Sequence, residues 1–254
     1  MFGIILLILS GLFMGMMGSG GSILTLPLLL YILKVEPSHA IPLSIGIVGL
    51  SSFVGLILKS REKHVNWKKG FTFALFSMPF GFIGSKLGIF IGPKYQIMIF
   101  LALLFLVLIF MFMKKAKTEE SNKPHIKHEI LFSSSIGAII GLLTGVVGVG
   151  GGFFIVPVFL YAEHLSFKDS AGTSLFVIFI NSLSALAGYT TGIHLPWIDI
   201  LSFGTIAAIG LFAGNYLTRY IEQERLRKIF AVSLIFVFIF TILKEYGSQN
   251  LIPF

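Results

Sequence analysis

Two glycine-rich stretches, Gly18-Ser19-Gly20-Gly21-Ser22 and Gly148-Val149-Gly150-Gly151-Gly152, hold the residues best suited to chemistry in this chain. Small side chains let a ligand come close to the backbone. A helix that stops and restarts at such a stretch exposes amide donors and aligned peptide dipoles, and both attract anions. The candidate contacts in the first stretch are Gly18, Ser19, Gly20, Gly21 and Ser22, with Thr25 one turn on. The second offers Gly148, Gly150, Gly151 and Gly152, with Thr144 nearby. Ser44, Ser174, Asn181 and Ser182 sit inside apolar runs and are expected to line the same pocket. Gly11-x-x-x-Gly15 and Gly141-x-x-x-Gly145 have the small-xxx-small spacing of close helix crossings, so they are assigned to packing. A dinucleotide or phosphate fingerprint is excluded by context, because no soluble strand precedes either cluster, no Lys-Ser or Lys-Thr follows, and no acidic residue sits about 20 positions on at a strand end.

Other chemistry is poorly supplied. The chain has no Cys, hence no disulfide, thiolate metal site or thiol nucleophile. It has no His-Glu-x-x-His, no Gly-x-Ser-x-Gly and no carboxylate inside an apolar run. No catalytic residue, metal ligand or cofactor is therefore expected, and an intramembrane enzyme is the weakest reading. The missing carboxylate also argues against a carboxylate proton relay. Lys86 is expected to snorkel to the interface, with an anion path as the alternative. His64 and His194, each three residues before a Trp, are expected to anchor at the interface, with a proton-sensitive gate as the alternative.

The elements that position these residues are membrane helices. Apolar residues make up 56% of the 254, mean hydropathy is +0.94 and only 12% are charged, half the share of a soluble domain. About 20 apolar residues span a bilayer. Eight segments qualify, roughly 2–33, 40–58, 70–91, 95–113, 130–161, 171–189, 198–217 and 226–243. Unbroken, the first and fifth would each run about 48 Å, well past a hydrocarbon core of about 30 Å. Each interior Gly costs a helix about 1 kcal/mol relative to Ala, so the glycine clusters break both segments. Pro27 and Pro157 follow each break, where a missing amide does no harm. The first apolar run lacks the basic flank and cleavage site of a signal peptide.

The chain also reads itself twice. A shift of 130 positions carries Gly11, Gly15, Gly18, Gly20, Gly21, Pro27 and Tyr31 onto Gly141, Gly145, Gly148, Gly150, Gly151, Pro157 and Tyr161. It also carries Ser44 onto Ser174, Ser52 onto Ser182, His64 onto His194 and Trp67 onto Trp197. The expected fold class is an all-α polytopic membrane protein of two homologous four-segment repeats, 1–113 and 130–254, joined by a charged cytoplasmic linker at 114–129. If every segment crosses once, the 19 Lys and Arg divide 11 to 8 between the two sides. If the first and fifth segments are re-entrant, all but Lys34, Lys86, Lys94 and Lys244 fall on one side. Basic loops belong to the cytoplasm, so the re-entrant arrangement, with inverted repeats, fits better. The net charge of +8 is thus a topology signal and not a nucleic-acid surface. The expected partners are the lipid bilayer and a small anionic substrate, with a homo-oligomer left open.

The paired Gly-x-x-x-Gly-x-x-Gly-x-Gly-Gly-(Gly/Ser)-x-x-x-x-Pro motif, the Ala171-Gly172-Thr173-Ser174 stretch and the His-x-x-Trp starts together resemble the TauE/SafE family of sulfite exporters, also called the toluene-sulfonate uptake permease family. The resemblance covers nearly the whole chain. It implies a multi-pass transporter, in a cell membrane, of small sulfur-containing anions such as sulfite, sulfoacetate or related organosulfonates. The first half departs from the pattern at Ile41-Pro42-Leu43-Ser44 and at Ser22, which stands where the second half has Gly152. A secondary transporter working by alternating access is the leading reading, and a passive anion channel is the runner-up.

Overall fold

The structure is a computed structural model that describes residues 2–18, 22–113 and 129–249. The linker expected at 114–129, apart from Glu129, lies outside the described residues, as do Ser19, Gly20 and Gly21. The described residues form helices joined by short turns, with no strand among them. In chain order the helices are α1 (Phe2–Met17), α2 (Ser22–Pro27, continued by a π-helical turn Leu28–Ile32), α3 (Pro37–Arg61), α4 (Trp67–Ile91) and α5 (Pro93–Met113). After the linker come α6 (Glu129–Val147), α7 (Gly152–Tyr161), α8 (Phe167–Tyr189), α9 (Trp197–Thr218) and α10 (Gln223–Gln249).

Six of these, α3, α4, α5, α8, α9 and α10, are long and apolar enough to cross a membrane. The others offer shorter apolar helices among the described residues, Gly3–Met17, Ser22–Ile32, Ser134–Val147 and Gly152–Tyr161. At 1.5 Å per residue the 16 residues of α1 reach only about 24 Å. Both expected long segments are therefore interrupted, as their glycine clusters require. Large apolar side chains such as Phe90, Ile198, Leu75 and Val232 point outward, the disposition that lipid contact demands. Trp67 and Trp197, half-exposed, begin α4 and α9.

Glycine contacts fix the helix directions. Gly11 faces the Ala207 carbonyl and Gly15 that of Leu211, while Gly214 faces the carbonyl of Leu12. Hence α1 runs parallel to α9. In the same way Gly141 faces the Ser77 carbonyl, Gly145 that of Gly81, and Gly84 that of Leu142, so α6 runs parallel to α4. At each of these positions even a methyl group would strike backbone, which is why the sequence keeps glycine. Each pair in the first set becomes a pair in the second when 130 is added to one member and subtracted from the other. Helices α3 and α8 cross antiparallel at the centre, with Gly49 on Ser182 and Gly55 on Leu175. Helix α3 is parallel to α9 through Gly46–Ile200 and Leu50–Gly204, and α4 is parallel to α8 through Gly70–Thr173 and Ser85–Gly188.

It follows that α1 and α3 point the same way, and so do α6 and α8. The chain between each pair must double back. Gly3, at the start of the first hairpin, accordingly packs on Leu33 at its end. Glu163, at the end of the second hairpin, pairs with Lys69 at 2.8 Å, at the same end of the bundle as the start of α6. The returning arms end alike. The Leu33 amide donates to the Leu28 carbonyl (3.0 Å) and the Glu163 amide to that of Val158 (3.1 Å), both five residues back. Lys34 and His164, one residue further on, both have φ of 54°.

Candidate functional site

The second break is fully described. Helix α6 stops at Val147, and Gly148, Gly150 and Gly151 take φ of 77°, 68° and 63° before α7 begins. Three left-handed residues in four positions cost L-side chains about 1–2 kcal/mol each, so glycine is required here. The turn lies deep. Gly148 packs on Ile41, and Gly150 on Val48 and Ile178, near the crossing of α3 and α8. Thr144 Oγ1 faces Gly151 from the last turn of α6, is buried to 1% exposure, and has no hydrogen-bond partner. A buried hydroxyl without a partner costs about 1–3 kcal/mol, so it marks a place where a polar ligand or water would be welcome.

The first break begins at Gly18, whose φ is 68° and which packs on Ala171, the position equivalent to Ile41. Ser19, Gly20 and Gly21 lie outside the described residues. Ser22 and Thr25 are buried on α2, and α2 touches α7, so the returning arms of both hairpins meet inside the protein.

The other expected lining residues are all buried, but they divide in their contacts. Ser182 Oγ lies against Gly49 with no partner, and Ser44 Oγ also lacks one. Ser174 instead donates to the Ala171 carbonyl of its own helix (2.8 Å). Asn181 turns toward α4, where its Oδ1 accepts from Ser77 Oγ at 2.7 Å while its Nδ2 is left unpartnered. Ser52, equivalent to Ser182, is a further buried, unpartnered hydroxyl of the same class. Lys86 is exposed and stacks over Phe82 at 4.7 Å, so it lines no interior path.

Near each break, polar side chains from another helix approach the carbonyls at the end of the first arm, which have no intrahelical partner. For α6, Tyr189 donates to the Gly145 carbonyl (3.1 Å), and Gln96 Nε2 donates to the Val146 carbonyl (2.6 Å) and to the Tyr189 hydroxyl (2.8 Å). For α1, Thr218 Oγ1 lies 3.4 Å from the Gly15 carbonyl and beside a cluster of charges.

In that cluster, the carboxylate of Glu62 accepts from Lys59 Nζ at 3.3 Å, Asn215 Nδ2 at 3.1 Å, and Arg219 Nε and Nη2 at 3.2 and 3.0 Å. Burial alone would raise the Glu62 carboxyl, but the Lys59 charge and the bonds from Arg219, Lys59 and Asn215 outweigh it and hold it below the usual carboxylate range. His64 Nδ1 is 2.8 Å from Asp169 Oδ1, so this histidine is a hydrogen-bond partner linking α8 to the loop after α3, beyond the interface anchor expected of it. His194 is exposed.

Residues 3–241 match the family described as Sulfite exporter TauE/SafE. The chain belongs to that family. Relatives similar to it over more than nine-tenths of both lengths include a "Probable membrane transporter protein" of Xylella fastidiosa, 29% identical over 246 residues (94% of each chain). Another is the "Probable membrane transporter protein YunE" of Bacillus subtilis, 24% identical over 266 residues (92% of this chain, 95% of the relative). A third, from Haemophilus influenzae, is 28% identical over 260 residues (93% and 95%). No solved structure matches. As a TauE/SafE member with six helices fit to cross a bilayer, the protein is a multi-pass membrane protein.

Sequence reasoning missed the cluster around Glu62 and the Tyr189–Gln96 pair. Lys59 and Glu62 read as ordinary charges at a helix end, and Arg219 as one of many basic loop residues. Only their meeting across α3 and α9 sets them apart, and no spacing rule announces a contact between residues about 150 positions apart.

Proposed function

We propose that this TauE/SafE protein is a secondary transporter of small anions, built as two inverted repeats, 1–113 and 130–254, and working by alternating access between them. The exchange of partners under the 130-residue shift supports the repeats: α1 packs on α9, α6 on α4, and the α3–α8 crossing lies between. The end holding the loops after α3, α5, α7 and α9 carries all but four of the 19 Lys and Arg, and is assigned to the cytoplasm. The substrate binds where the returning arms meet, at the glycine turns and the buried hydroxyls around them. The observation that carries this reading is the Gly148–Gly152 turn with Thr144 Oγ1 facing it unpartnered, close to the central helix crossing. No fixed charge stands there, so backbone amides and hydroxyls must supply the binding energy. That suits a weakly basic oxyanion held by several donors, and sulfite and sulfonates are the class the family description favours.

The test is counterflow of sulfite and ethanesulfonate in proteoliposomes. Saturable flux, accelerated by unlabelled anion on the opposite side and abolished by Gly151→Val, is expected. Non-saturating flux without counterflow would favour a passive channel. Normal transport by Gly151→Val would move the site away from the turn.

A further inference from the structure

A cavity of ≈ 260 Å³ opens at the basic end, lined by Lys59, Glu62, His64, Lys168, Thr218 and Arg219. Three cations, Lys59, Lys168 and Arg219, line it with one carboxylate, Glu62, while His64 is hydrogen-bonded to Asp169. The Lys59 side chain is only 3% exposed and shares its single ion-pair partner, Glu62, with Arg219. Lys168 makes no ion pair among the described residues. Of the three cations only Lys59 is buried, Lys168 being half-buried and Arg219 exposed. A buried cation that must share its counter-charge is costly, and an added anion relieves that cost.

We propose that this cavity is a second anion-binding site, a cytoplasmic vestibule in which the Glu62 carboxylate holds the place of a small oxyanion until one displaces it. The proposal rests on the transporter reading above and names where its substrate is first captured. Arg219 fixes the ligand class. Its Nε and Nη2 both approach Glu62 Oε1, presenting the guanidinium edge that matches paired oxygens of a sulfonate, sulfite or phosphonate. A halide lacks that geometry. The volume suits the size: at about 30 Å³ per water, the cavity accommodates one such ion with a few waters. The site is also one-sided. Shifted by 130, Lys59, Glu62, Lys168 and Arg219 fall on Tyr189, Gly192, Ser38 and Ile89, so the opposite end has no counterpart. Anions are therefore concentrated on the cytoplasmic side alone, the side from which an exporter loads.

The test is equilibrium binding of ethanesulfonate to the purified full chain carrying Gly151→Val, which removes the central site. One ethanesulfonate should still bind, Lys168→Gln should weaken it about tenfold and Glu62→Gln should tighten it, as a lost charge-assisted bond and a lost competitor require. Equimolar chloride should not displace it. Binding that is absent, unchanged in both variants, or displaced equally by chloride would overturn the vestibule. If Glu62→Gln does not fold, the response of Lys168→Gln decides alone. Flux by the unmutated protein in liposomes is read separately, so a failed vestibule leaves the central transport site standing and a failed transport site is recognised as such.

Discussion

The two ends of the bundle use one backbone plan and different chemistry. At the basic end the first hairpin's outward arm finishes beside Thr218, Asn215, Lys59, Glu62 and Arg219. At the other end the second hairpin's arm finishes beside Tyr189 and Gln96, two neutral groups that cap the Gly145 and Val146 carbonyls. The glycine crossings, the π-type closures and the φ of 54° at Lys34 and His164 are common to both. Close helix approach thus constrains both halves equally, while the side chains that secure each end are free to diverge. The divergence places a charged cluster beside one arm and a pair of neutral hydrogen-bonding groups beside the other.

The comparison breaks most severely at the shared frame. Gly11→Leu and Gly141→Leu should each abolish accumulation of folded protein, because the new side chain meets the Ala207 or Ser77 carbonyl, backbone that cannot repack. Membrane yield and thermal unfolding in detergent check this. Full tolerance of one but not the other would show that the two crossings are not equivalent.

The ends should then separate in size of effect. Glu62→Ala leaves the buried Lys59 without its counter-ion, a loss of about 3–5 kcal/mol by analogy with broken buried ion pairs. Tyr189→Phe removes one neutral hydrogen bond to Gly145, worth about 0.5–1.5 kcal/mol. Equal effects in denaturation curves would mean that the charged cluster is solvated and carries no special weight.

A smaller effect concerns pH. The Glu62 carboxyl is held below its ordinary value, so its stabilisation is complete above the unfolded pKa of about 4.3 and is lost as pH falls through the lower folded value. The groups facing it are Lys59, Lys168 and Arg219, with the His64–Asp169 pair beside them. The acid limb of the stability profile should therefore flatten in Glu62→Gln and be unchanged in Tyr189→Phe.

The glycine clusters made the interruptions legible in the sequence, since no continuous helix could fit a bilayer with so many helix-weakening residues. Charge counting pointed to the doubling back for a reason independent of any contact. What stayed hidden depended on which way a buried side chain turns. Asn181 and Ser182 are neighbours, yet one reaches Ser77 on α4 and the other lies on Gly49 of α3. Ser174 reads as pocket lining in the sequence but bonds its own helix, a local option that spacing cannot exclude. The charged cluster required knowing that α3 and α9 lie side by side.

The claim that anions bind at the glycine turn is tested most directly by Thr144→Val, which keeps the side chain's shape and removes only its unpartnered hydroxyl. Removing a buried, unsatisfied group should leave thermal stability unchanged or raised. In ethanesulfonate counterflow the half-saturating concentration should nevertheless rise, by up to about tenfold, the worth of one hydrogen bond. A variant as stable as the parent, with unaltered saturation, would show that Thr144 does not meet the substrate and would contradict a site at the turn.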